Sequence, residues 1–438
     1  MAQPTASGFF DTLTISKAAM ALYREARQAS KLHEHRRAIT LYSEAYAFPE
    51  TSSLFQARLL EYRGESHWLL CEFNQAEQDY EAALVLCNEP DQAARVRVRL
   101  SEMANFLGDY GRSLELCQQA LEESKLASSV LVTAWARRGV AIALRQQGNT
   151  EQALSYLTQA LATFRTMGEA REQGRILVSI ARTHLMRGEY QRAVTALQEA
   201  LHLFRSLDDR WRITQVLSDL GECYQGLYDL ETALEFHERA LVLAQEQQIH
   251  IFLPQIYRNL GFVLVQLGQI DAGMVYLGRS LEEAQTLQAR EQEVLSLYQL
   301  AQSCLFATSQ PELAKRYVAM LKQLAEALQA ARFCALAAFA EGELLFACGE
   351  RQTAVSSLER ALIWAQTAVD RGILWQLHAA MSRMVDNPEI ANIHRSIAAE
   401  FLRQTAEPLQ DPQVKKRFLQ APPVAAILQA TTVDLNPL

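Results

Sequence analysis

The arginines are where this chain could do chemistry, because the familiar catalytic spacings are missing from it. No glycine is followed by lysine, so there is no phosphate loop, and neither a G-x-S-x-G elbow nor an H-E-x-x-H zinc pair occurs. His33 and His35 flank Glu34 at i and i+2, which puts them on different faces of a helix and unable to share a metal. His67, His184, His202, His237, His250, His378 and His394 are scattered, with no second ligand one turn away. The seven cysteines include no CxxC pair. They read as small core residues in a reducing compartment, and packing also explains Cys304, Cys334 and Cys348 more simply than redox sensing does. What remains are Arg138, Arg145, Arg175, Arg182 and Arg258, whose guanidinium forks suit carboxylates, and Gln225 and Asn259, whose amides suit an extended peptide backbone.

Those residues sit on amphipathic helices. The clearest stretch is Thr214–Leu243, TQVLSDLGECYQGLYDLETALEFHERALVL, which reads as two helices joined at Gly226–Asp229. Gly221, Ala233 and Ala240 are small enough for close helix approach, and Leu217, Leu220, Tyr224 and Leu230 fill the space around the contact. The same hairpin recurs. The small residue opening each second helix is Ala38, Ala76, Ser113, Ala153, Ala193, Ala233, Gly273, Ala314 and Ala354, at intervals of 38, 37, 40, 40, 40, 40, 41 and 40. Seven residues later Ala45, Ala83, Ala120, Ala160, Ala200, Ala240, Ser280 and Ala361 repeat the mark, with Leu321 as the exception. Twelve residues earlier, in the first helix, stand Ala26, Gly64, Ser101, Ala141, Ala181, Gly221, Gly261 and Gly342, while Ala301 lies thirteen before its marker. Three small positions held in register specify one unit copied nine times.

These marks resemble the tetratricopeptide repeat, including its large residue before the helix-A glycine, present as Leu100, Leu220, Leu260 and Leu300. The family's helix-A tryptophan is mostly Leu or Tyr here and its closing proline is mostly absent. The period near 40 is similar to the longer-helix subclass of MalT-type, Rap-type and Pins-type arrays. The resemblance implies an all-α, right-handed superhelical solenoid of about nine hairpins over residues 14–369. A flexible leader (1–13) precedes it. Capping helices (370–419) follow, expected at 371–385, 388–406 and 412–419, and a Pro-containing tail (420–438) is expected to be disordered. RFLQAPPVAAIL is also similar to the end of repeat arrays fused to signalling ATPases and nucleotide cyclases.

In such an array the first helices line a concave groove. The register then places Trp135, Arg138, Arg145, Arg175, Arg182, Glu222, Gln225, Arg258, Asn259, Phe262 and Tyr298 on it, with a basic, amide-rich middle and an aromatic end that the cap could cover. Asp219 and Glu222 stand between arginine-bearing copies and are expected to pair with Arg182 or Arg258. The function expected is a noncatalytic scaffold or regulatory adaptor binding a protein or peptide, an acidic segment among the candidates, without cofactor or metal. Its alternatives are a receptor for a signalling peptide that switches an effector, or a regulatory arm acting with a separate signalling ATPase, cyclase or protease. An enzyme is the least favoured class.

Composition agrees with these limits. The chain has 438 residues, 49% of them apolar, which is enough to bury a long core. A formal net charge of −8 disfavours nonspecific nucleic-acid binding. No signal peptide and no run of 18 apolar residues is present, so the expected location is the cytoplasm.

Overall fold

Helix length in this chain is set by residues in the left-handed backbone region, placed at a regular beat. The structure, a computed structural model, describes residues 16–48 and 51–433, and every regular element among the described residues is helical. Positive φ angles fall at 33, 71, 108, 148, 188, 228, 268, 309 and 349, each five residues before the small residue that opens a second helix. From residue 108 to 369 a left-handed residue also ends each second helix, so the beat is 20 residues, stretched once to 21 between 288 and 309. A left-handed residue ends a helix because its N–H turns back onto the last carbonyls. Around Gly148 (φ +86°), for example, Asn149 N donates to Leu144 O at 2.9 Å and Gly148 N to Arg145 O at 3.0 Å.

The resulting helices come in pairs. In order they are Lys17–Lys31 with His35–Tyr46, Ser53–Leu69 with Phe73–Leu86, Pro90–Phe106 with Tyr110–Leu126, Val130–Gln146 with Thr150–Met167, and Ala170–Met186 with Tyr190–Ser206. Then follow Arg210–Gly226 with Leu230–Glu246, Leu253–Gln266 with Ile270–Thr286, Arg290–Phe306 with Pro311–Leu328, and Ala331–Ala347 with Arg351–Ala368. Below these are hairpins one to nine.

The helices expected as a cap add a tenth pair, Arg371–Met384 with Pro388–Ala406, where Asn387 Oδ1 accepts from Glu389 N and Ile390 N. Here the first helix has 14 residues, where hairpins five and six have 17, and the small pair of the second helix moves forward to Ala391 and Ala398. Pro412–Gln420 follows. The tail expected to be disordered instead carries a further helix, Pro422–Val433. Two prolines at a helix start need no N–H partners and have φ already set, so they begin the helix rather than break it. The expected leader, residues 1–13, and the last five residues of the tail lie outside the described residues.

The chain divides into two compact units, residues up to 105 with 111–140, and 106–110 with 141–438. In the first, Ala19, Ala26, Ala38 and Ala45 are buried beside Tyr42 and Phe55. The Arg27 guanidinium lies 3.8 Å from the centre of the Tyr62 ring. In the second, the hairpin seams are as tight as the spacing requires. A Cβ on Gly221 would sit 2.4 Å from His237 Cε1, and one on Gly261 would sit 2.8 Å from Gly273 O.

Within the second unit, residues far apart in sequence also touch. A Cβ on Gly148 would lie 2.2 Å from Thr367 O, and the Tyr110 and Phe333 rings are 6.1 Å apart. Near the end of the chain, Arg417 Nη1 reaches Asp229 Oδ1 at 2.5 Å, and Gln410 N donates to Gln191 Oε1 at 3.3 Å. Phe418 and Val424 share a core cluster with Leu227, backed by Tyr190 and Tyr228. The final helices therefore fold back onto hairpins five and six. No described helix is long and apolar enough to cross a membrane.

Candidate functional site

The candidate surface is the inner face of the first helices. Trp135 and Arg138 belong to the first unit, and the other nine expected residues belong to the second. In the first unit Arg138 Nη1 donates to Glu102 Oε1 at 2.6 Å, and Trp135 is half-buried.

In the second unit a ladder of ion pairs crosses successive hairpins. Arg182 gives two hydrogen bonds to the buried carboxylate of Asp219, both at 2.9 Å. Gln255 Nε2 supplies a third donor to Asp219 at 2.9 Å and another to Glu222 at 3.2 Å. Arg258 stands 3.6 Å from Glu222, as expected of that pair. Arg175 holds Glu172, one turn before it, at 3.1 Å. Further along, Arg332 takes Asp370 at 2.9 Å and Glu291 at 3.4 Å. Glu291 also accepts from Gln146 Nε2 at 3.3 Å, which joins the inner faces of hairpins four and eight.

The local field differs at each arginine. Burial works against the charge of Arg182, but Asp219 more than compensates and the group is held above its ordinary pKa. Arg332 is likewise raised by Asp370 and Glu291 against the cost of burial. Burial dominates at Arg258 and lowers it despite Glu222. Arg145 stands apart. It keeps only 7% of its surface, and among the described residues its guanidinium has no hydrogen bond and no ion pair. Burial lowers its pKa to about 10.

Several other inner-face polar groups are unsatisfied. Asn259 is 1% exposed, and neither its Oδ1 nor its Nδ2 has a partner. Gln225 Oε1, Ser218 Oγ and Arg258 Nε are sealed without partners as well. Phe262 is half-buried beside them in the register.

The aromatic end is not an open lining. Tyr298 packs its ring 6.2 Å from that of Phe339, against the large core of hairpins eight to ten, and burial pushes its hydroxyl pKa up. Phe346 packs on the same core, whereas Phe306 is 59% exposed. Glu291, Arg332, Asp370 and Tyr110 join this surface without having been expected. Glu291 and Arg332 share one register position, ten residues before Ala301 and Gly342, which the groove pattern did not include. Among the described residues no group of three or more His, Cys, Asp or Glu side chains could hold a metal.

Residues 92–166 and 172–246 match the family model for the tetratricopeptide repeat. Those two stretches, about a third of the chain, carry tetratricopeptide repeats. A curated relative, Regulatory protein AfsR of Streptomyces griseus, is 24% identical over 261 residues, 53% of this chain and 27% of the relative. The chain thus spans about a quarter of that relative's length. Among solved structures, the tetratricopeptide array is similar to a Rap protein complexed with Competence and Sporulation Factor. That match has a TM-score of 0.56 at 15% identity, covering 89% of this chain and 98% of the other. It is also similar to a signal transduction ATPase with numerous domains, with a tetratricopeptide repeat sensor, from Pyrococcus horikoshii. There the TM-score is 0.50 at 15% identity, over 83% of this chain and 55% of the other. At such identities the likeness concerns the fold.

Proposed function

We propose that this chain is a noncatalytic regulatory receptor or adaptor that binds a peptide or protein segment along the inner face of its tetratricopeptide array. The observation that carries the reading is Asn259. Buried amides are nearly always hydrogen-bonded, and leaving one unpaired costs about 1–3 kcal/mol. An amide with both ends unsatisfied on a repeat's inner face matches the donor and acceptor of a peptide unit arriving from outside. Gln225 and Ser218 offer the same service in hairpin six.

The comparisons support this reading: AfsR is named a regulatory protein, and the Rap protein is in complex with a separate factor, Competence and Sporulation Factor. In the second unit Arg145, Arg175, Arg182, Glu222, Gln225, Arg258, Asn259 and Phe262 are proposed as the binding face, with Tyr298 contributing from its core edge; in the first unit Trp135 and Arg138 are proposed as binding residues. Seven cysteines with no CxxC pair among them fit a cytoplasmic setting. The sensor-bearing ATPase keeps a second reading open, in which the array is the sensing arm of a separate signalling enzyme.

The test is affinity capture from native extract, identification of the retained peptide or protein by mass spectrometry, and calorimetry of its binding segment. Replacement of Asn259 by Leu should weaken binding at least tenfold with an unchanged helical circular dichroism spectrum. Undiminished affinity in that variant would reject the inner face as the site.

A further inference from the structure

Every inner-face arginine described above except Arg145 already holds a carboxylate: Arg138 that of Glu102, Arg175 that of Glu172, Arg182 that of Asp219, Arg258 that of Glu222 and Arg332 that of Asp370. Arg145 holds none, although Glu291 is the carboxylate that acts on it most strongly. That carboxylate is committed elsewhere, to Gln146 and Arg332. Two like charges, Arg182 and Arg332, press on Arg145 at the same time.

A second donor lies in the same electrostatic neighbourhood. The Tyr110 hydroxyl is sealed without a hydrogen-bond partner, and both Arg145 and Glu291 act on it. A forked cation and a hydroxyl, neither satisfied, make a pair of donors that lacks an acceptor. Buried donors of this kind are costly to keep, and a planar two-oxygen anion satisfies a guanidinium fork best.

We propose that Arg145, assisted by the Tyr110 hydroxyl, is a seat for a carboxylate carried by the segment that binds the inner face. This rests on the peptide-binding reading above and adds the ligand's chemistry to it. One oxygen pair of the incoming carboxylate takes the Arg145 fork, and Tyr110 donates to it. Glu291 is the internal competitor. Removing its charge should strengthen the seat, whereas a purely structural role for Arg145 predicts no such opposition.

The experiment offers the purified chain pooled random hexapeptides in four forms: with or without Asp and Glu, and with a free or an amidated C terminus. Retained peptides are read by mass spectrometry for the native chain and for Arg145→Met, Tyr110→Phe and Glu291→Gln. Retention should favour carboxylate-bearing pools at least tenfold. That preference should vanish in Arg145→Met, weaken severalfold in Tyr110→Phe and rise severalfold in Glu291→Gln. Preference for Asp and Glu whatever the terminus assigns the seat to a side chain, and preference for the free terminus assigns it to the main-chain carboxylate. Peptides retained with no carboxylate preference, or with one that survives in Arg145→Met, overturn the seat and leave the peptide-binding reading standing.

If no pool is retained, the peptide reading falls, and the seat is judged alone by sodium acetate. Acetate should move the Arg145 guanidinium resonance in a nitrogen-15 spectrum, identified by its loss in Arg145→Met. An unmoved resonance overturns the seat.

Discussion

The seam between the two helices of a hairpin and the inner face of the first helix share the same few turns of backbone, yet they are built from opposite materials. The seam is small and apolar: Ala233 and Ala240 are fully buried, and Gly221 leaves no room for even a methyl group. The inner face is arginine, carboxylate and amide, joined hairpin to hairpin. Each region contains a charged or titratable group that does not fit it. In the seam this is His237, fully buried against Gly221 with neither ring nitrogen bonded, where the same register position holds Tyr80, Leu157, Leu197 and Leu277 in other copies. On the inner face it is Arg145. The difference lies in what each can still do. His237 is fully buried in the seam, so its cost is only a cost, whereas Arg145 faces groups that an outside ligand can reorganise.

The comparison can be broken most severely on the inner face. Arg182→Met strips the buried Asp219 of its two strongest donors and should destabilise the second unit by about 3 kcal/mol in urea unfolding. The double variant Arg182→Met/Asp219→Leu should recover most of that loss. If it does not, the pair matters through packing rather than through charge.

In the seam the sign reverses. His237→Leu should stabilise by about 1–2 kcal/mol at neutral pH, since it removes two unsatisfied nitrogens and restores the apolar residue of the other copies. Burial, aided by Arg258, lowers the His237 pKa to about 3. The unfolded chain therefore takes up a proton near pH 6.5 that the folded chain refuses, and native stability falls as pH drops from there towards 3. The gap between variant and native should widen over that window. A constant gap would mean that the ring titrates freely in the fold.

Arg145→Met should be neutral or stabilising by about 1 kcal/mol, because it removes a buried charge without a partner. Its pKa of about 10 lies below the ordinary arginine value, so that penalty is complete at neutral pH and is relieved only as pH rises from about 10 towards 12.5. Thermal unfolding at pH 7 measures it, and a clear loss of stability would mean that Arg145 has a structural partner.

The smallest effect concerns the helix ends. Gln248 adopts φ +52° in a link where Gly168 serves elsewhere, so Gln248→Gly should add at most about 1 kcal/mol by relieving side-chain strain. A loss would show that the Gln248 side chain holds the link by its own contacts.

The seam was legible in the sequence because close helix approach admits only Gly, Ala or Ser, and such residues leave a periodic mark. The mark failed at hairpin ten for a local reason. Its first helix is three residues shorter, so Ala391 follows Ser382 by nine residues where other copies have twelve. On the inner face the register identified the arginines and the Arg182–Asp219 and Arg258–Glu222 pairs. It could not say which arginine would be left over, because that depends on how Glu291 divides itself between Gln146 and Arg332. Nor could it place Tyr110, a second-helix residue brought to this face by contact with Phe333.

The even beat of left-handed residues would let hairpins be added or deleted in blocks of 40 with every helix end preserved. The contacts of the second unit forbid such freedom. With one hairpin excised between Asp229 and Arg417, Arg417 would be carried past the link that it now clasps, and Gly148 would face a different stretch of backbone from Thr367. In the second unit copy number is therefore fixed by these contacts, and length can change there only together with a new set of partners.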